Sequence, residues 1–100
     1  MHYLLLYETA ADYLQRRPLF RDEHLRLAWA SHDRGELMLA GALEGTNSAA
    51  LLFKGDSAAV AENFAQADPY VRHGLVTSWR VHRWLTVAGD TAAAPVKPAE

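Results

Sequence analysis

Residues 2 to 8, His2-Tyr3-Leu4-Leu5-Leu6-Tyr7-Glu8, fall into two alternating sets, Tyr3/Leu5/Tyr7 and His2/Leu4/Leu6/Glu8, and neither set is fully polar. A period of two marks a strand, and apolar residues on both sides ask for cover on both sides. Thr9 to Arg17 shows no strict period and reads as a connection. Pro18 suits the first position of a helix, where its missing N–H costs nothing. From Leu19 to Arg34, Phe20, Leu25, Ala28 and Trp29 recur at helical spacing. Asp22 and Glu23 complement the dipole of the opening turns, and Gly35 supplies a left-handed stop after about four turns. Leu37 to Leu43 reads as a second strand, with Gly41 as a bulge or close-approach point. Glu44 to Ser48 is turn chemistry, and Ala49 to Lys54 returns as a third strand.

Asp56 or Ser57 is available to cap a second helix over Ala58 to Ala67, whose buried stripe is Val60, Ala61, Phe64 and Ala65. Asp68-Pro69 must end it, because the residue before proline is pushed out of the helical region. Pro69 to Gly74 reads as irregular. Leu75 to Thr86 is a long last strand with Leu75, Trp79, Val81 and Leu85 on one face and Ser78, Arg80, His82 and Trp84 on the other. Residues 87–100 are small, polar or proline-bearing and read as a flexible tail behind one domain of residues 1–86.

The order β-α-β-β-α-β predicts an α+β fold, the ferredoxin-like sandwich of a four-stranded antiparallel sheet with two helices on one face. Strand one then exposes apolar residues on the uncovered face. A homodimer packed on that face is the expected remedy.

Composition narrows the function classes. A chain of 100 residues, 50% hydrophobic, supports one domain. Ten Lys plus Arg against twelve Asp plus Glu give a net charge of -2, without the basic stripe a nucleic-acid binder needs. No apolar run approaches roughly 18 residues, so no membrane partner is expected. The opening Met1-His2-Tyr3-Leu4 shows no signal pattern, and the expected location is cytoplasmic. Zero cysteines exclude a disulfide scaffold, a thiol nucleophile and thiolate metal ligation.

The candidate chemistry starts at His24, which has Arg21 three residues before it on the same helix edge as Ala28. Imidazole suits general acid or base work near neutral pH. The plainer alternative is a boundary histidine satisfied by water or a carbonyl. Asp68 stands at the exit of the second helix, where unpaired carbonyls make the potential negative. A carboxylate there calls for a nearby cation or donor, and His24 or Arg21 on the neighbouring helix can supply it. An Asp that holds one nitrogen of a His, leaving the other free toward a pocket, makes an oriented base. The alternative for Asp68 is an ordinary turn opener with a solvated carboxylate.

His24 and His32 lie about 12 Å apart along a helix, whereas zinc holds imidazole nitrogens at about 2 Å, so one ion cannot take both. No metal site is expected, and His73 and His82 read as loop and sheet-surface residues. Trp79 reads as core, and Trp84 as a dimer contact or pocket wall. The RNA-recognition motif shares the element order, but the strand Ala49-Ala50-Leu51-Leu52-Phe53-Lys54 lacks its aromatic signature. No P-loop, dinucleotide fingerprint, HExxH or GxSxG occurs, and no cofactor is expected.

Taken together, Arg21-x-x-His24-Leu25, His32-Asp33-x-Gly35-x-Leu37, Ala40-Gly41, Phe64-x-x-x-Asp68-Pro69-Tyr70-Val71 and Gly74-Leu75-Val76 resemble the YciI-like (YCII-related) family over residues 1 to 86. The resemblance implies a ferredoxin-like fold of the dimeric α+β barrel superfamily and an active site on a His and an Asp, matched here by His24 and Asp68. Arg21, Pro69 and Tyr70 are the expected substrate-binding residues around them. One characterised relative type is a dehydrochlorinase acting on a chlorinated hydroxyhydroquinone, muconolactone isomerases share the architecture, and some relatives occur beside transcription-related domains. The loop Glu44-Gly45-Thr46-Asn47-Ser48 is shorter than in many relatives. Two functional readings follow. One is a lyase- or isomerase-type enzyme that moves a proton on a small cyclic or phenolic substrate. The other is a non-catalytic dimeric module that binds a small ligand or serves regulation.

Overall fold

The structure, a computed structural model, describes residues 1–99. The chain runs β1 (His2–Thr9), α1 (Tyr13–Asp33), β2 (Leu37–Leu43), β3 (Ser48–Lys54), α2 (Ala59–Ala67), α3 (Pro69–Arg72) and β4 (Val76–Trp84). The strands form one sheet in the order β2-β3-β1-β4, every neighbour antiparallel. This is the expected ferredoxin-like arrangement, with β1 central between β3 and β4.

The pleat of β1 sorts its side chains. Tyr3, Leu5 and Tyr7 are buried on the helix-covered face, with Leu5 opposite Leu51 on one side and Val81 on the other. Phe53, Phe64, Ala61, Ala65 and Leu75 complete this core beneath α2. Leu4, Leu6, Ala50 and Leu52 share the opposite face and stay half-buried. Around them, Leu43 and Trp84 are 44% and 48% exposed.

Helix α1 departs from expectation at its start. It opens at Tyr13, and Pro18 lies inside it. The ring removes the N–H that would reach the carbonyl of Leu14, but Leu14 is exposed, so water can serve that side of the helix. The longer helix also seats Tyr13 edge-on to Tyr70, with ring centroids 5.6 Å apart.

The packed stripe of α1 differs too. Ala28 and Ser31 are buried and Phe20, His24 and Leu27 half-buried, whereas Leu25 and Trp29 are exposed. Two polar residues sit on the inward face, so counting apolar positions alone points to the wrong edge. At the far end the reading holds: Gly35, at φ +80°, follows the C-cap Arg34.

Three smaller corrections concern the sheet and the second crossover. The register of β2 shifts between Leu37 and Leu39, while Gly41 pairs regularly with Ala50. Strand β4 ends at Trp84, leaving Leu85 exposed, and Trp79 is only half-buried against the core. The stretch after Pro69 is the short helix α3, followed by Gly74 at φ +77°.

Beyond β4 the described residues form no helix or strand. The Thr86 carbonyl accepts from the N–H of Ala94 (3.1 Å) and the Val87 carbonyl from that of Val96 (2.8 Å). The Thr86 hydroxyl lies 2.6 Å from Nδ1 of the buried His2. No helix among the described residues is long and apolar enough to cross a membrane.

Candidate functional site

Asp68 is placed by its neighbour in sequence. Pro69 forces it into an extended conformation (φ -69°, ψ 123°), which ends α2 and turns the chain directly into α3. Its Oδ1 then accepts from the Tyr70 N–H at 3.0 Å and caps α3. Asp68 therefore faces the end of one helix and the start of another, so an amide donor joins the cation or donor expected from α1.

The carboxylate is wholly buried. Burying a bare carboxylate costs many kcal/mol, so it must be surrounded by donors. Tyr7 supplies one from β1, its hydroxyl donating to Oδ2 at 2.8 Å. His24 supplies another from α1, with Nδ1 at 2.9 Å from Oδ1 and 3.0 Å from Oδ2. No buried side-chain nitrogen or oxygen among the described residues lacks a partner.

Three segments far apart in sequence thus converge on one acid. Burial, and then the charge of Asp68, push the Tyr7 phenol far above its ordinary value, so it stays a neutral donor. Burial also pushes Tyr70 up to about 12, with Tyr13 and Asp68 adding to the rise and Arg21 and Arg17 opposing it.

The His24 ring is held on one face by stacking, by an edge-type aromatic contact and by the hydrogen bonds of Nδ1. Tyr70 stacks on it at 3.9 Å and 10°, and Phe64 meets it edge-on at 6.4 Å. An ionised carboxylate only accepts, so beside it the proton sits on Nδ1 and a neutral ring carries its lone pair on Nε2. Among the described residues Nε2 takes no hydrogen-bond partner. His24 borders a cavity of about 500 Å³ between α1 and the β2–β3 half of the sheet. The arrangement can accept a proton at Nε2 while Asp68 stabilises the resulting imidazolium.

Of the residues singled out from sequence, His24, Arg21 and Tyr70 line this cavity, and Asp68 lies sealed behind His24. Pro69 does not line it. It is fully buried at the first position of α3, so its place is structural rather than at a ligand. His32 reaches the cavity away from His24 and pairs with Asp33 at 3.2 Å.

Sequence reading missed Tyr7, Tyr13 and Arg17. A signal for Tyr7 existed: a phenol in the apolar row of a central strand needs a buried acceptor. Tyr13 and Arg17 were hidden by the aperiodic stretch that Pro18 seemed to close off.

The fold and its cavity define a ferredoxin-like α+β protein with a histidine–carboxylate pair at a pocket. The YCII-related domain pattern matches residues 1–85. Protein YciI of Escherichia coli O6:H1 is 33% identical over 85 residues, spanning 75% of this chain and 87% of the relative, and Protein YciI of Shigella flexneri matches equally. The chain belongs to the YCII-related family.

Among solved structures, the 5-chloro-2-hydroxyhydroquinone dehydrochlorinase of Burkholderia phenoliruptrix AC1100, in complex with 2,5-dihydroxybenzoquinone, has a TM-score of 0.73 at 20% identity, covering 86% of this chain and 95% of its own. A NIPSNAP family protein of Agrobacterium tumefaciens C58 has a TM-score of 0.59 at 13% identity over 92% and 95%. Both share the fold.

Proposed function

We propose that the protein is a proton-transfer enzyme in which His24 is the general base and acid and Asp68 orients it. The observation that supports this is the sealed carboxylate gripping Nδ1 at 2.9 Å while His24 itself borders a cavity. A substrate C–H or O–H gives its proton to Nε2. The freed electron pair forms a new double bond, and either a leaving group such as chloride departs or the proton returns at another carbon. Such assistance contributes about 10²–10⁴-fold, so the substrate must itself be acidic, as phenolic and cyclic ketonic compounds are. The dehydrochlorinase of the same fold makes elimination from a chlorinated phenol the first reaction to assay. The reading calls on no cofactor, and it carries with it a homodimer formed over the open sheet face.

The deciding measurement is the NMR titration of the His24 ring in the parent and in Asp68→Asn. A displaced midpoint and an altered tautomer in the variant are the expected result. Identical titrations would mean that the two groups do not communicate, and the mechanism would be wrong.

A further inference from the structure

The cavity has a charge pattern that the histidine–aspartate pair does not use. Arg17 and Arg21 both line it, one helical turn apart on the face of α1 that also carries His24. No aspartate or glutamate lines it among the described residues. Arg16 pairs with Asp12, Arg34 with Glu36 and Arg72 with Glu23, whereas Arg17 and Arg21, like Arg26, Arg80 and Arg83, meet no carboxylate among the described residues. Like charges four residues apart on a helix repel.

The rest of the cavity is graded along the same helix. From Arg21 to Trp29 is about 12 Å of rise, passing His24, Leu25 and Ala28, so a cationic end gives way to an apolar one. Leu25 and Trp29 form that second end and are 38% and 61% exposed. Their exposure leaves apolar area uncovered beside an unneutralised guanidinium pair. Tyr70, stacked on His24, lines the same cavity as both arginines.

We infer that the cavity binds a small organic acid, with its carboxylate between Arg17 and Arg21 and its apolar body along Leu25 and Trp29, so that the carbons next to the carboxylate face His24. This rests on the reading of the cavity as the working site and narrows its substrate class to carboxylate-bearing molecules. Arg17 is a substrate-binding residue that the sequence motifs do not contain.

Benzoate and its neutral counterpart benzamide test the inference, with binding followed by calorimetry on the full chain. Benzoate is expected to bind more tightly than benzamide, and raised salt should weaken benzoate alone. Arg17→Gln with Arg21→Gln should weaken benzoate at least about tenfold while leaving benzamide unchanged. Retained benzamide binding shows that the double variant keeps its cavity. Equal affinity for the two probes, benzoate binding indifferent to the double substitution, or no benzoate binding below about 10 mM overturns the inference. The His24 titration in Asp68→Asn is independent of either probe. Failure of the anion site with coupling intact removes the substrate class alone, whereas lost coupling removes the mechanism.

Discussion

Beneath α2, Leu5, Ala65 and Leu75 are cut off from water and the oxygens of Asp68 accept from Tyr7, His24 and the Tyr70 amide. Across the β2–β3 half of the same sheet face, Leu25 and Trp29 stay 38% and 61% exposed around a hollow of about 500 Å³. The difference lies in what each helix presents. Helix α2 carries Ala61, Phe64 and Ala65 on one stripe and lies flush on the strands. The inward face of α1 carries His24 and Ser31 beside Phe20, Leu27 and Ala28, and its Leu25 and Trp29 edge stays exposed instead of lying on the strands. The sealed half acts as an anchor, and the unsealed half holds the space a ligand needs. His24 sits on the seam and belongs to both.

Removing the anchor should have the largest effect. Asp68→Ala strips three donors of their acceptor at a fully buried position and is expected to cost about 3–5 kcal/mol, read from urea unfolding. A loss under about 1 kcal/mol would mean that the network contributes little to holding α1, α3 and β1 together. On the seam, His24→Ala should lower turnover of a competent substrate by about 10²–10⁴ while the thermal midpoint moves much less. Parallel loss of folding and activity would place His24 in the anchor only.

Tyr7→Phe keeps the ring in the core and removes one donor from Asp68. It should destabilise by about 1–3 kcal/mol and shift the pH profile of the His24 reaction, because Oδ2 then has the imidazole as its one remaining partner while Oδ1 keeps the Tyr70 amide. An unmoved profile would show that Tyr7 serves folding only.

Alkali probes the same contrast. The folded chain holds the Tyr7 and Tyr70 protons above their ordinary pKa, 10.0, with Tyr70 reaching about 12. Unfolded tyrosines release theirs first, so stability is full below about pH 10 and falls as pH rises beyond it. Tyr70→Phe should flatten part of that decline in denaturant midpoints. The smallest stability effect belongs to the open half: Trp29→Ala should stay within about 0.5 kcal/mol of the parent. A larger loss would show that the exposed indole is covered in solution, for which sedimentation of the parent chain would give a dimer mass.

Local physics made much of this architecture readable. Alternation in β1 separated its two faces without saying which is core, Gly35 marked the end of α1, and Asp68-Pro69 marked the end of α2, because each follows from the geometry of a few bonds. The same locality misled at Pro18. A proline that suits a helix start also survives within an early turn when the orphaned carbonyl stays wet and Tyr13 gains a ring to lean on. It misled again at Leu25 and Trp29, where helical spacing identified an apolar edge but not whether anything lies across from it.

What the amino-acid sequence determined by itself was the four strands and two longer helices, their order and the residue types able to exchange a proton, but not the short helix α3. Only the tertiary structure decided that Tyr7, His24 and Asp68, from three separate segments, share one carboxylate, that Pro69 is buried behind the site, and that Arg17 belongs beside Arg21. The physical reason is one of range. Backbone preferences act over a few residues, whereas a buried charge is tolerated only by donors that the whole fold brings around it.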